Sequence, residues 1–444
     1  MMEFPTILNL NFETDHPNQR IDIYEGDFYL KNESQTFKCN GNIFFEWLPN
    51  LGSRFTGRLT RGKHPKFAGY YTIIVEDNII GKVFLTNLTD SSESSFIEIQ
   101  GVFNHECIYG DKSITVELVK FDIPNLKDYI GSIVSKDGGT FRNRIHFEND
   151  DFSIVIDKAI DYKDRLKKLK NKGGYLSLYT GELKLKKGSL NYETTKNILR
   201  SFGTFLSFLN GRKIAPIFYS GIYQGEKIWS DFSNYDISLY KYNSGWSSMF
   251  SIDGFKELFN KFLEIWKNDD DQNFLVSAIH WYNESNSNSG YAEGSIVMAQ
   301  TALELLYNWL IIEKGNLLLG RDSENISASN KIRLLLSQIK MSKAAPLNFR
   351  ELQSYITENP EIHDAPEAIV QIRNSIIHSQ FEKRKKLSKL NSNTIHQALQ
   401  LSILYIELSI LYILGYNGEY EDRCSGNDYL TDRTKSVPWV ETYQ

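Results

Sequence analysis

The sequence predicts an α+β protein. A β-rich N-terminal domain with sandwich-like antiparallel sheets is expected over residues 1–250, an all-α bundle over 251–416 and a C-terminal tail over 417–444. Three observations carry this reading. Short β-branched and aromatic runs punctuated by Gly, Asn and Asp fill roughly the first 190 residues. Apolar residues recur at helical spacing through most of the remainder. At 444 residues, the chain is long enough for two or three domains with substantial cores.

The strand runs come first. Phe28 to Leu30, Asn42 to Trp47, Gly69 to Val75, Ile80 to Leu85, Ser95 to Val102, Ser113 to Phe121, Arg144 to Phe147 and Phe152 to Ile156 are each short and bounded by turn residues. Their spacing suggests a sandwich or a curled antiparallel sheet, and no fixed repeat period is evident. Leu166 to Lys172, followed by Lys184, Lys186 and Lys187, is strongly basic. It reads as a solvated face or hairpin in preference to an RNA-tracking surface, because no aromatic stacking platform accompanies it. A helix is expected from Thr194 to Leu209.

In the second half, Ser295 to Ile312 is apolar nearly all round and should be a buried helix. Gln300, Glu304 and Asn308 break that pattern at i, i+4, i+8, and a polar stripe on a buried helix must face hydrogen-bond partners or a wet cleft. Two readings stand for Glu304: a pairing with an arginine on the helix that follows Asp364, or a supporting role in catalysis. Lys331 to Ile339 is another helix. Thr394 to Leu414 is a long final one, apolar enough to suggest a membrane span. Glu407 near its centre and an apolar length below the roughly 20 residues a span needs argue instead for a helix inside a bundle or at a dimer seam.

The helix after Asp364 is the best signposted. Asp364 and Glu367 read as an N-cap and its N3 partner, a carboxylate version of the capping box, with Pro366 tolerated in the first turn. Ile369, Ile372 and Ile376 supply an apolar stripe, while Asn374 and His378 lie four apart on another face. Arg373 lies about 140° around the axis from His378, but its long side chain can swing toward the imidazole. A permanent cation, an amide and an imidazole at one helix end suit cleavage of a phosphodiester without a metal.

Composition narrows the field further. A net charge of -5 and a pI near 6.0 argue against indiscriminate coating of nucleic acid and confine any RNA contact to local basic patches. Cys39, Cys107 and Cys424 are scattered, which suits a reducing cytoplasm and neither a zinc ribbon nor a disulfide framework. The N-terminal residues lack the basic start and apolar segment of a signal peptide. The sequence contains no phosphate-cradling Walker loop, no His-Glu-x-x-His helix and no Gly-x-Ser-x-Gly elbow. No cofactor or metal is expected, and no membrane partner.

The run Arg373-Asn374-Ser375-Ile376-Ile377-His378 resembles the signature of HEPN ribonucleases, which is Arg, a polar residue, four to six residues in all, then His near a helix end. Ala302-Leu303-Glu304 looks like part of the first long helix of such domains. The stretch Leu206-Ser207-Phe208-Leu209-Asn210-Gly211-Arg212, with Ile214-Ala215-Pro216-Ile217 and Lys227-Ile228-Trp229, resembles the N-terminal module that accompanies HEPN domains in ApeA-type antiphage proteins. Two other matches are decoys: Arg58 to His64 lies in a Gly- and Lys-containing segment flanked by strand signals, and Arg142 to His146 is too short and alternates like a strand.

The resemblance implies a cytoplasmic, metal-independent endoribonuclease of bacterial antiphage defence by abortive infection, with transfer RNA a reasonable target and a phage-derived trigger sensed by the N-terminal half. Attack of the 2′-OH on phosphorus would leave a 2′,3′-cyclic phosphate. Arg373, Asn374 and His378 are the implied catalytic residues, Glu304 and His396 supporting candidates, and Lys383, Arg384, Lys385 and Lys386 candidate RNA contacts. One motif histidine per chain points to a homodimer or higher oligomer for the second imidazole, with His396 the intramolecular alternative. Two other classes stay open. One is a non-cleaving nucleotide-binding, RNA-binding or assembly module. The other is a ligand-binding β domain whose site is lined by Trp47, Tyr70, Tyr71 and Trp229.

Overall fold

The computed structural model describes residues 4–60, 64–90, 95–287, 291–320, 325–377, 390–426 and 433–440. The chain divides into two compact units. One comprises Met1–Leu126, Ile130–Gly203 and Ile214–Lys241, and the other Lys127–Tyr129, Thr204–Lys213 and Tyr242–Gln444. The β-rich first part and helical second part agree with an α+β fold. The division falls at Lys241–Tyr242, close to the expected boundary at 250, with two short earlier segments counted in the helical unit.

In the first unit, β1 (Ile21–Lys31), β2 (Thr36–Glu46), β3 (Gly52–Thr60), β4 (Tyr70–Val75), β5 (Asn78–Asp90) and β6 (Phe96–Phe103) form a closed antiparallel barrel in the order β1-β2-β3-β6-β5-β4. Of the two expectations, a sandwich or a curled antiparallel sheet, the second holds here and the sandwich does not: this sheet curls until β1 pairs with β4. Alternation decides which side chains enter. Along β4, Tyr71, Ile73 and Val75 are buried while Tyr70, Thr72 and Ile74 face outward. Inward residues such as Phe28, Ile43, Phe55, Ile73, Val83 and Ile99 fill the interior. Gly41 and Gly57 lie opposite one another on β2 and β3, and a Cβ on Gly41 would run into the Thr56 carbonyl and the Gly57 Cα. That close approach accommodates tight curvature.

A second antiparallel sheet has the order β7-β14-β13-β8-β12-β11-β10-β9. Its strands are β7 (Ile108–Gly110), β8 (Leu118–Pro124), β9 (Ser132–Lys136), β10 (Gly139–Glu148), β11 (Phe152–Lys158), β12 (Ser177–Leu185), β13 (Ile217–Tyr223) and β14 (Glu226–Asp231). Two buried carboxylates tie the N-terminal segment to it. Asp122 on β8 accepts the backbone N–H groups of Asn11 and Phe12, both at 2.9 Å. Asp157 on β11 accepts Leu8 N–H at 2.8 Å and a two-pronged contact from Arg144 at 2.9 and 2.7 Å. The basic segment expected to be a solvated face or hairpin is helix α1 (Tyr162–Lys172), whose Tyr162, Arg165 and Leu169 are buried while most of its lysines stay in water. Helix α2 (Tyr192–Asn210) sets Phe202 against Phe121 and Phe147.

The helical unit contains α3 (Phe255–Trp266), α4 (Asp269–Asn286), α5 (Tyr291–Tyr307), α6 (Ala328–Gln338), α7 (Arg350–Glu358), α8 (Ala365–Ile377) and α9 (Ser392–Ile413). Asn268 caps α4 by accepting from the N–H groups of Asp270 and Asp271. Beyond Tyr307, α5 continues as a π-helical stretch, Asn308–Lys314, where Trp309 stacks on Phe274 at 4.5 Å. By length and composition the combined helix Tyr291–Lys314 could cross a bilayer, yet 56% of its apolar window is packed inside the unit. The final helix, α9, is buried almost throughout from Thr394 to Leu411, as expected of a helix inside a bundle.

Glu407, in the middle of α9, is fully buried and has a complete set of partners. Arg423 donates from Nε to its Oε2 at 2.9 Å and from Nη2 to its Oε1 at 2.5 Å, and Tyr282 OH donates to Oε1 at 2.7 Å. The remaining guanidinium donors reach Gln400, Asn286 and the Ser244 carbonyl. The region after 417 was expected to be a tail. Its described residues instead carry this buried arginine and a small hairpin of β15 (Glu419–Glu421) and β16 (Thr434–Ser436). The physical reason is Glu407 itself, because an isolated buried carboxylate would be several kcal/mol unfavourable.

Two stability experiments follow from these buried charges. Arg423→Ala should destabilise the helical unit by about 3–5 kcal/mol in urea unfolding, because Glu407 is left buried and unpaired. Replacing both partners, Arg423→Met with Glu407→Leu, should restore most of that loss. Burial pushes the Asp122 carboxyl up to about 6 despite its two backbone donors. Between about pH 4 and 6 the folded chain therefore holds a proton that the unfolded chain has released. Stability of the first unit should fall as pH rises through that window and level off above it, and Asp122→Asn should remove this component.

Candidate functional site

The expected cap on α8 is present. Asp364 Oδ1 accepts the N–H of Glu367 at 3.0 Å. The Glu367 side chain does not turn back to the cap. It meets Arg333 of α6, whose Nη2 donates to Glu367 Oε2 at 2.7 Å while Nε and Nη2 grip Asp364 at 2.6 and 2.9 Å. One guanidinium therefore neutralises both carboxylates at the helix N-terminus. Arg333 was not singled out from the sequence; an arginine within a predicted helix carries no signal of which carboxylate it faces.

At the other end of α8, Arg373 and Asn374 are half-buried. Arg373 Nη1 donates to Asn374 Oδ1 at 3.2 Å. Its Nε is buried without a hydrogen-bond partner, and among the described residues its guanidinium pairs with no carboxylate. A planar set of donors held partly out of water and short of an acceptor can take up an anionic oxygen. His378 lies outside the described residues, as do Lys383, Arg384, Lys385 and Lys386.

The supporting candidates fall elsewhere. Glu304 is exposed and paired with Lys331 on α6, which corrects the expected pairing with an arginine on the motif helix. The stripe containing it changes character along α5: Gln300 is buried with Oε1 unpartnered, whereas Glu304 and Asn308 reach solvent. His396 is exposed in the first turn of α9. Of the predicted set, the structure brings together Arg373 and Asn374.

Of the two decoys, the first begins at the end of β3, which closes at Thr60, and the second lies on a strand. Arg58 lies on β3 and pairs with Glu98 of β6 at 3.0 Å, while Arg142 to His146 lies within β10. Of the aromatics considered for a ligand site in the β half, Trp47, Tyr71 and Trp229 are core residues; Tyr70 is 67% exposed. The three cysteines are buried thiols. Among the described residues no three His, Cys, Asp or Glu side chains gather into a metal-binding group.

A cleft of about 620 Å³ lies within the helical unit, lined by residues including Asp253, Glu257, Lys261, Tyr416 and Glu419. Arg373 does not line it. Its three carboxylates against one lysine disfavour an anionic occupant. Lys127 is a second half-buried cation of this unit. Its amine is lowered to about 8 by burial, while Glu421 and Glu407 act in the opposite direction, and it donates to the Ser247 carbonyl at 2.5 Å.

Comparison with known proteins adds a relationship over most of the chain. Residues 111–243 match a family described as the YopA central domain, and residues 268–434 one described as the YopA C-terminal domain. The chain is similar to YopA. That relative is described as the SPbeta prophage-derived uncharacterized protein YopA of Bacillus subtilis (strain 168), and is 24% identical over 420 residues, covering 91% of this chain and 92% of its own length. No solved structure matches. The two YopA domain matches fall on the second sheet with its helices and on the bundle, and the second matched range spans position 373.

The cap of α8 gives a local test. Asp364→Ala removes the N-cap acceptor and two contacts of Arg333, whereas Glu367→Ala removes one contact. Asp364→Ala should therefore cost about 1–3 kcal/mol and Glu367→Ala distinctly less, read as lost amide-exchange protection in the first turn of α8. Equal effects would place the stabilisation outside the cap.

Proposed function

We propose that the helical unit is a metal-independent endoribonuclease of the HEPN type, acting in the cytoplasm in antiphage defence, with Arg373 and His378 as its catalytic pair. The observation that carries this reading is the state of Arg373. It is a half-buried guanidinium with a partnerless Nε, beside an amide, near the end of a firmly capped helix. His378 follows five positions later in the sequence. The prophage origin of the YopA relative is in keeping with a phage-linked role.

In this reading the ribose 2′-oxygen attacks the adjacent phosphorus and the bond to the 5′-oxygen breaks, leaving a 2′,3′-cyclic phosphate and a 5′-OH. DNA lacks the nucleophile and resists. Arg373 faces the non-bridging oxygens and stabilises the charge that grows on them, using Nε and the free donors of its fork. Asn374 holds the guanidinium through Oδ1. His378 transfers a proton, a task suited to an imidazole whose ordinary pKa is near 6.5. A second imidazole comes from the partner chain of a homodimer, and transfer RNA is the proposed substrate.

Incubation of purified protein with total RNA in EDTA, followed by end sequencing, tests the reaction. Cyclic phosphate ends are expected. His378→Ala should lower the cleavage rate by about 10²–10⁴ and Arg373→Ala by about 10²–10³, with urea midpoints unchanged. Folded variants that cut as fast as the parent would remove these residues from the mechanism. RNA bound without being cut would favour the non-cleaving module instead.

A further inference from the structure

The outer wall of the barrel carries three cross-strand rows over β1, β4 and β5. In the first, Tyr70 of β4 stands opposite Phe84 of β5, with ring centroids 5.1 Å apart. Lys31, Thr72 and Lys82 make the second row. Tyr29, Ile74 and Ile79 make the third. Residues two apart on a strand share a face, so neighbouring rows are about 7 Å apart. Tyr70 and Ile79 are each 67% exposed and Tyr29 is 41% exposed.

The charge on this wall is as informative as the rings. Lys31 and Lys82 make no ion pair among the described residues, whereas Lys38, opposite Tyr29 on β2, is taken up by Asp27 two residues before Tyr29 on the same face of β1, and Arg58 on β3 by Glu98. None of the three rows contains a carboxylate. Glu76 and Asp77 lie beyond them in the turn between β4 and β5. Unpaired lysines between aromatic rows are poorly suited to the core of a protein interface, where lysine is depleted. They match a strand that brings its own negative charge and flat bases.

We infer that this wall binds single-stranded nucleic acid, with bases stacked on Tyr70 with Phe84 and on Tyr29, and the intervening backbone phosphates neutralised by Lys31 and Lys82. Stacking of this kind tolerates any sequence because every base has a π-face. The net charge of -5 makes the attraction local and salt-sensitive. Only the choice of RNA as the natural strand rests on the proposed nuclease; the binding surface does not.

Fluorescence anisotropy of full-length protein with labelled oligodeoxythymidylate, which has no 2′-OH to react, tests the wall apart from any cleavage. Saturable binding that weakens with salt is expected. Tyr70→Ala should weaken it at least about fivefold, with Tyr29→Ala as an independent second variant. Lys31→Ala with Lys82→Ala should reduce the salt slope by about 0.7 per lysine. Tyr242→Ala, an 80% exposed aromatic in the helical unit, should change neither quantity. Because the probe cannot be cut, failure of the nuclease reading leaves this result standing. Absence of saturable binding at low salt overturns the inference, as does unchanged affinity in both tyrosine variants with an unchanged slope in the lysine variant. Loss of self-association in Tyr70→Ala without oligonucleotide binding also overturns it and assigns the wall to a second copy of the chain.

Discussion

The contact on which the helical unit depends is between Glu407 and Arg423. A carboxylate at the middle of an otherwise apolar helix is tolerable only with nearly all its acceptor capacity engaged. Here Arg423 and Tyr282 engage it, and Gln400, Asn286 and the Ser244 carbonyl occupy the rest of the guanidinium. Asn286 in turn donates to the carbonyls of Gly211 and Ser244. One charge thus draws together α4, α9, the segment before α3 and the residues after α9. Such a network favours one arrangement of helices over others of similar apolar content.

Three arginines of this unit differ in how fully their guanidinium groups are paired. Arg423 is 2% exposed and meets a carboxylate face to face. Arg333 is shared between two carboxylates at the start of α8. Arg373, on the same helix as that cap, meets an amide and, among the described residues, no carboxylate. The rigid, charge-balanced start of α8 gives a fixed axis for a cation at its far end. Among the described residues, a phosphate oxygen entering there would compete with one neutral neighbour and not with an internal anion.

Much of this was legible in the sequence where a local rule applies. Asp364 and Glu367 announced the start of α8, and the unbroken apolar run of α9 announced a buried helix, because capping and periodicity are encoded within a few residues. Closure of the barrel was not legible. Alternation tells which face of β4 is inside, but nothing in it says that β1 returns to pair with β4. Helix α1 was missed because its lysines outnumber the residues it buries, and α4 although Asn268 with three acidic residues behind it is a recognisable start. Glu407 stood out as anomalous, yet its partner lay 16 positions on, in a stretch read as a tail. Of the outer-wall aromatics Tyr29, Tyr70 and Phe84, the sequence singled out Tyr70 alone, since a cross-strand row exists only once strand register is known.

The position of Arg423 also bears on how the chain is made. Protein synthesis runs from the N-terminus, and domains fold largely as they emerge. The barrel and the second sheet are complete by Asp231, so the first unit can assemble while the helices are still being translated. The helical unit cannot settle in the same way. Until Arg423 emerges, α9 carries an unneutralised acid into its own core, and the unit stays unfinished. In the proposed nuclease, Arg373 would thereby be kept from its final setting through nearly the whole of translation, close to the ribosome's own RNA.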